Sequence, residues 1–187
     1  ELARPLNLKR FIFPSSTAAC RFPAAGEALV EGSLPDGDHI YARTKAKGER
    51  MLAECSDASP STIVRFAALF SDWCEYPPLF MFLETWLSTS WNARVLGGRG
   101  QSAIPYLHVD DLTLFFIALL DRLDEVRPGQ VLQASPDGAV SHQQLYDEAT
   151  LLHFGNKRAS LHMPRPLCGP GMWSLDLLGR LIGKRPF

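Results

Sequence analysis

Residues 40–67 read IYARTKAKGERMLAECSDASPSTIVRFA, in which a helical pattern is followed directly by the pattern of a buried strand. Apolar residues recur at helical spacing from Ile40 to about Cys55, and the polar cluster Ser56–Pro60 predicts the end of that helix. The segment from Thr62 to Ala67 is β-branched and apolar, as strands covered on both faces are. A helix joined to a buried strand by a short connection is typical of an α/β fold with a parallel sheet.

The same alternation of strand and helix continues on both sides of this unit. Four strands are predicted, at residues 10–13, 62–67, 104–109 and 130–134. Five helices are predicted, at residues 40–55, 77–86, 110–123, 141–154 and 171–182. Asp110 or Asp111 is expected to cap the third helix and Ser141 the fourth, because their side chains accept free amide hydrogens.

Composition excludes several classes of protein. The chain has 187 residues, 46% of them apolar, and a formal net charge of −1, so it can bury a core and has no excess charge for a nucleic acid. The longest apolar run, from Leu112 to Leu120, is far shorter than the ~20 residues that cross a bilayer. The four cysteines form no CxxC pair. We therefore expect a cytoplasmic protein with no metal site, no nucleic-acid partner and no membrane contact.

Tyr41 and Lys45 are the residues most informative about chemistry. They are four residues apart on the first predicted helix, so their side chains share one face, and Glu49 continues that face. An ammonium group near a phenol stabilises the phenolate, by at most about 4 kcal/mol at 4 Å and an effective dielectric constant near 20. Such a tyrosine exchanges protons with a hydroxyl or carbonyl group. Ser16 follows a predicted strand 25 residues earlier, where ligands of open parallel sheets bind.

Four segments together resemble the extended short-chain dehydrogenase/reductases, the NAD-dependent epimerases and dehydratases. The segment KRFIFPSS at 9–16 is similar to the strand that ends in the family's serine, and YARTK at 41–45 to its YxxxK helix. The segment IVRFAALF at 63–70 is similar to the strand and loop that reach the nicotinamide, and IPYLHVDDL at 104–112 to the family's "FVHVDDL" segment.

The resemblance implies a role for each matching residue. Tyr41 is the general acid and base, Lys45 assists it and binds the nicotinamide ribose, and Ser16 orients the substrate oxygen. Ala67 lies against the nicotinamide through its backbone. The resemblance further implies that the substrate contacts a set of four residues, namely Ser15, Ser16, Ala68 and Phe70.

The resemblance also implies a fold and a division of the chain. It implies a partial Rossmann-like parallel sheet with flanking helices plus a small mixed substrate-binding lobe. Residues 1–70 are the second half of the dinucleotide-binding domain, and residues 71–187 are mainly the substrate-binding lobe, with 104–125 returning to the Rossmann-like core. The family's opening glycine fingerprint is absent, so we expect an inactive piece of a larger enzyme, with little affinity for NAD or NADP and an open strand edge that favours homo-oligomers.

Several alternatives stay open. The substrate is a nucleotide sugar or, given the aromatic residues between Phe70 and Trp86, a lipid-like alcohol. The chain is an epimerase, dehydratase or reductase, and the alternative is a non-catalytic dinucleotide-sensing or scaffold module. Arg65, unusual in an apolar strand, is expected to need buried partners or, less simply, to contact phosphate.

Overall fold

The computed structural model describes residues 8–24, 27–54 and 60–170, and the chain divides into two compact units. The first unit comprises residues 1–73 and 105–138, and the second comprises residues 74–104 and 139–187. Cys55 and the helix predicted at residues 171–182 lie outside the described residues.

The first unit contains a three-stranded parallel sheet. Its strands are β1 (Phe11–Ser16), β2 (Ser61–Phe66) and β7 (Val131–Ala134), in the order β1-β2-β7. A further parallel pair consists of β3 (Ala68–Phe70) and β6 (Tyr106–His108). The helices of this unit are α1 (Ile40–Glu54) and α3 (Val109–Asp121). The predicted α/β class with a parallel sheet is confirmed.

The core of the first unit forms where β2 meets its neighbours. Its buried members come from β2, β6, α3, β7 and the residue that follows β2, and are Val64, Leu107, Leu119, Ala134 and Ala67. The residues of β2 are buried from its first residue to its fifth, as in a strand that is covered on both faces.

Strand β1 is longer than the sequence predicts. The strand was expected to end at Phe13, but it continues through Pro14 to Ser16. Proline lacks the N–H group that a central strand must donate, so it is tolerated on an outer strand. Among the described residues, β1 pairs only with β2, with Pro14 opposite Val64.

The second unit mixes parallel and antiparallel pairs. Strands β4 (Val95–Gly97) and β9 (Leu161–Met163) are parallel, whereas β5 (Ala103–Ile104) and β8 (Val140–Ser141) are antiparallel. Its helices include α2 (Pro77–Trp86) and α4 (His142–Phe154), and residues 165–170 are also helical. Trp86, Leu96 and Tyr146 form the buried centre of this unit.

Two predictions about the segment around residue 105 are wrong. The single strand expected over 104–109 is divided at Pro105 into β5 and β6, which pair with different strands. The cap of α3 is His108, whose Nδ1 accepts a hydrogen bond from the Asp110 backbone N–H at 3.3 Å. Asp110 and Asp111 lie inside the first turn, where negative charge stabilises the helix without capping it.

Candidate active site

Helix α1 carries three candidate residues at increasing depth on one face. The Tyr41 side chain is 52% exposed, Lys45 is half-buried, and Glu49 is buried. The i, i+4, i+8 spacing places all three above one another, and the helix packs against β1. The face therefore runs from solvent, at Tyr41, into the protein, at Glu49.

Lys45 is held between helix and sheet. Its Nζ donates a hydrogen bond of 2.8 Å to the carbonyl oxygen of Pro14 in β1. The same nitrogen lies 5.7 Å from the centres of the Tyr41 and Phe13 rings, within the range of cation–π attraction. The structure therefore brings the Lys45 ammonium group beside the Tyr41 ring and anchors it two residues before Ser16.

His39 is a neighbour of Tyr41 that the sequence analysis missed. The two rings are nearly parallel, at 7°, with centres 6.2 Å apart. The Nδ1 atom of His39 accepts a hydrogen bond from the backbone N–H of Ala42 at 3.3 Å, which fixes the ring at the start of α1. The available signal was the position of a histidine just before the first turn, where side chains cap helices.

The carboxyl end of β1 carries Ser16, and that of β2 is followed by Ala67. Ser16 stands opposite Phe66 in the parallel register, and its Oγ accepts a hydrogen bond from the Ala18 N–H at 3.2 Å. Ala67 is buried. Parallel strands present these positions at the same edge of the sheet. Among the described residues, no hydrogen bond joins Ser16 to Tyr41.

Ser15 and Arg65 belong to a buried network centred on Glu49. The Ser15 hydroxyl donates to Glu49 Oε1 at 2.5 Å, and Arg65 donates to both carboxylate oxygens, at 3.0 and 2.8 Å. Burial by itself lowers the pKa of Arg65, but the hydrogen bonds and charge of Glu49 outweigh it and raise that pKa. Arg65 thus has the buried partner that its sequence position required.

The remaining guanidinium donors of Arg65 hold the loop that precedes α1. Its Nη1 donates to the backbone carbonyl oxygens of Glu31, at 3.3 Å, and Ser33, at 2.8 Å. Gly37 closes this loop against the segment after β1, donating to the Ala19 carbonyl oxygen at 2.9 Å. A Cβ atom at Gly37 would lie 2.6 Å from the Ala42 Cβ, so the close approach requires glycine.

Ala68 and Phe70, two of the predicted substrate contacts, lie on the short strand β3. Phe70 packs edge-on against Tyr106 and His108, with ring centres 6.2 and 5.1 Å away. His108 also lies near two carboxylates, 3.4 Å from Asp72 and 3.5 Å from Asp110. Nevertheless, no group of residues in the described ranges has the arrangement of a metal site.

The aromatic residues considered for a lipid-like substrate have different environments. Trp73 is 86% exposed and Phe80 is half-exposed, whereas Trp86 is buried in the core of the second unit. Trp86 stacks on Phe82 and meets the Tyr146 ring edge-on, as a core residue does. No helix within the described ranges is both long and apolar enough to cross a bilayer.

Comparison with solved structures shows similarity to nucleotide-binding enzymes at low identity. The UDP-glucuronic acid 4-epimerase from Bacillus cereus in complex with NAD matches with a TM-score of 0.69 and 16% identity, over 87% of this chain and 52% of that one. The Thermus thermophilus UDP-glucose 4-epimerase complex with NAD matches with a TM-score of 0.63 and 16% identity, over 88% of this chain and 54% of that one. RMD from Pseudomonas aeruginosa, complexed with NADPH, matches with a TM-score of 0.62 and 14% identity, over 83% of this chain and 55% of that one.

The chain spans about half the length of each of these structures. Their agreement confirms the Rossmann-like fold class. A comparison with curated proteins finds no match.

A family model gives the assignment at the level of sequence. The model described as "NAD dependent epimerase/dehydratase family" matches residues 1–134, which contain β1, α1, β2 and α3. The predicted cofactor of the family, NAD or NADP, is confirmed by this description together with the NAD and NADPH complexes among the similar structures. The chain belongs to the NAD dependent epimerase/dehydratase family.

Proposed function

We propose that this chain is the proton-transfer part of an NAD(P)-dependent enzyme that acts at a hydroxyl or carbonyl carbon. The observation that carries the proposal is the position of Lys45, hydrogen-bonded to the β1 backbone and beside the ring of a solvent-accessible Tyr41. Tyr41 then donates a proton to the substrate oxygen, or accepts one from it.

The surrounding residues fit a nicotinamide cofactor at the edge of the sheet. Ala67 presents a small side chain after β2, and the Tyr41 phenol is open to solvent beside the Lys45 ammonium group. We propose that Tyr41, Lys45 and Ala67 contact the nicotinamide end of NAD or NADP. When bound, this cofactor supplies or accepts the hydride.

Ser16 is the proposed hydrogen-bond partner of the substrate oxygen, with Ala68 and Phe70 beside the substrate. Its hydroxyl is half-buried at the carboxyl end of β1 and bonds only a local backbone N–H among the described residues. The Ser15 hydroxyl is instead buried and directed to Glu49. We therefore propose Ser15 as a positioning residue that links β1 to α1, and its predicted contact with substrate stays a prediction.

A nucleotide sugar is the proposed substrate class. The supporting observation is that similar structures include enzymes named for such substrates, among them the UDP-glucuronic acid and UDP-glucose 4-epimerases. Because the chain spans about half of their length, the substrate and activity of the whole protein are part of the proposal. We also propose that the first unit forms part of the dinucleotide-binding domain and the second serves the substrate.

The test is the Tyr41→Phe variant of the full-length protein, assayed with NAD and UDP-glucose. Loss of the phenol proton should lower kcat by about 100-fold or more while NAD binding is kept. Lys45→Met should lower both kcat and the affinity for NAD. Thr44→Ala, an exposed position on the same helix, is the matched control and should leave both unchanged. Full turnover by Tyr41→Phe would contradict the proposal and favour a dinucleotide-sensing module.

A further inference from the structure

The second unit contains a cavity that shares no residue with the proposed active site. Its volume is about 390 Å³, which lies in the range of small-molecule sites. It lies where the turn after α2 meets the segment before β9. Most of the lining side chains are cationic, hydroxyl-bearing or aromatic, and these are Ser88, Thr89, Ser90, Trp91, Arg94 and Arg158. No acidic residue lines it.

The two arginines form no ion pair with any residue that the structure describes. Within the part of the chain that the structure describes, neither Arg94 nor Arg158 uses its guanidinium group in a hydrogen bond or ion pair. The Arg158 guanidinium carbon lies 3.3 Å from the centre of the Phe154 ring. Stacking of this kind uses the flat face of the guanidinium group and leaves the N–H donors at its edge available.

Tyr146 is a buried residue whose ionisation both arginines affect. Its side chain is 0% exposed, and its hydroxyl has no hydrogen-bond partner among the described residues. Burial raises the pKa of Tyr146, the positive charges of Arg94 and Arg158 oppose that rise, and the negative charge of Asp147 adds to it. Both guanidinium groups therefore lie within electrostatic reach of one buried hydroxyl.

The loop from Ser88 to Trp91 supplies the rest of the lining. The Ser88 hydroxyl donates to the Thr85 carbonyl oxygen at 2.7 Å and accepts from the Ser90 N–H at 3.1 Å, which fixes the turn after α2. The hydroxyls of Thr89 and Ser90 form no hydrogen bond with another described residue, and Trp91 is 75% exposed. Guanidinium groups and hydroxyl donors bind an anion, and an exposed indole ring stacks on an aromatic group. Together they suit a ligand in which an anion is attached to an aromatic ring.

We propose that this cavity binds a phosphate ester that carries an aromatic ring. Arg94 and Arg158 hold the phosphate oxygens, Thr89 and Ser90 donate further hydrogen bonds, and Trp91 stacks on the ring. The phosphate fits better than a monoanion because two guanidinium groups, with no carboxylate in the cavity lining, favour a dianion. The site is independent of the proposed catalytic function, since it uses no residue of that site.

The test is calorimetric titration of the whole chain with phenyl phosphate, inorganic phosphate and phenol at fixed ionic strength. Phenyl phosphate should bind more tightly than inorganic phosphate, and phenol should not bind. Arg94→Gln and Arg158→Gln should each weaken phenyl phosphate binding about tenfold or more. Trp91→Ala should bring phenyl phosphate to within about twofold of inorganic phosphate.

Arg127→Gln is the matched control, because this exposed arginine does not line the cavity. No binding of phenyl phosphate at about 10 mM, or equal binding by the two arginine variants and the control, overturns the proposal.

A second measurement on the unaltered chain covers the case in which a variant does not fold. Phenylglyoxal modification of each arginine is followed by mass spectrometry with and without phenyl phosphate. Phenyl phosphate should slow the modification of Arg94 and Arg158 and leave Arg127 unchanged. Equal modification rates with and without phenyl phosphate would overturn the proposal.

Discussion

Glu49 and Arg65 place two full charges almost entirely out of solvent, at 4% and 2% exposure. The desolvation of such a pair is offset only when hydrogen bonds satisfy both groups, as they do here through Ser15 and the loop carbonyls. Because Glu49 also lies two turns after Tyr41, this network fixes the helix that carries the proposed acid and base.

Replacing Glu49 alone should therefore destabilise the chain strongly. Glu49→Gln leaves the Arg65 charge buried without its counterion, and we expect the free energy of unfolding in urea to fall by about 3 kcal/mol or more. Glu54→Gln, an exposed change on the same helix, should alter it by less than about 0.5 kcal/mol. The double variant Glu49→Leu with Arg65→Met should show a smaller fall in the free energy of unfolding than Glu49→Gln, because no unpaired charge remains buried.

The sequence indicates the need for this pair but does not identify it. A buried arginine in an apolar strand requires partners, so Arg65 was identified as unusual from sequence alone. The acidic residue that pairs with Arg65 is determined by how α1 packs on the sheet. The spacing of Tyr41, Lys45 and Glu49 predicts only that they share one face of the helix. The stacking of His39 on Tyr41 is equally a product of three-dimensional placement.

Helix α4 shows how well local signals predict an element. Ser141 Oγ accepts the Gln144 N–H at 3.2 Å, and Gln144 Oε1 accepts the Ser141 N–H at 3.0 Å, which completes a capping box. The helix ends at Gly155, whose φ of 74° is a left-handed conformation that glycine adopts at little cost. Both ends are encoded within a few residues, so the predicted range of 141–154 agrees with the structure.

Removal of this cap should weaken the second unit measurably. Ser141→Ala loses the hydrogen bond from the Gln144 N–H, and we expect the free energy of unfolding to fall by about 1 kcal/mol. Urea unfolding monitored by circular dichroism measures the change. Ser102→Ala, at an exposed position of the same unit, should change the free energy of unfolding by less than about 0.5 kcal/mol. An equal effect of the two variants would contradict the capping role.

The elements that sequence analysis misjudged depend on partners rather than on local pattern. Pro14 marks a strand end by local rules, yet an outer strand accommodates it without losing a ladder hydrogen bond. Pro105 divides one apolar run because β5 and β6 pair with different strands. Aspartate is intrinsically a better cap than histidine, but β6 ends at His108 and α3 begins at the next residue, so His108 occupies the capping position.

At the scale of a whole unit, His142 should make the stability of the second unit depend on pH. Its ring packs against Phe82 and Trp86, with centres 4.7 and 6.3 Å away, and burial lowers its pKa. The folded state thus favours neutral imidazole. The stabilisation is complete above the unfolded value of about 6.5 and declines as pH falls through it towards the lower folded pKa.

The matched variants are His142→Phe and His153→Gln. Thermal unfolding between about pH 7.5 and 5 should show a smaller decline for His142→Phe than for the unaltered chain. His153 is exposed, so His153→Gln should keep the original decline. The same pH dependence in all three proteins would refute this assignment.

The whole chain should bind NADH and NADPH only weakly, although its family is NAD-dependent. Dinucleotide pyrophosphates are held at the N-terminus of a helix that follows a strand and a glycine-rich loop. The described residues hold no such unit, since the Gly97–Gly100 segment leads into β5 rather than a helix. Under the proposed function, Tyr41, Lys45 and Ala67 contact the nicotinamide end alone. We expect a Kd above about 100 µM for both nucleotides in a fluorescence titration.

The control for this prediction is any longer protein that carries this chain after a strand, a glycine-rich loop and a helix, and it should bind NADH at least about tenfold more tightly. Low-micromolar binding by the 187-residue chain would contradict the prediction and mean that its own residues hold the pyrophosphate.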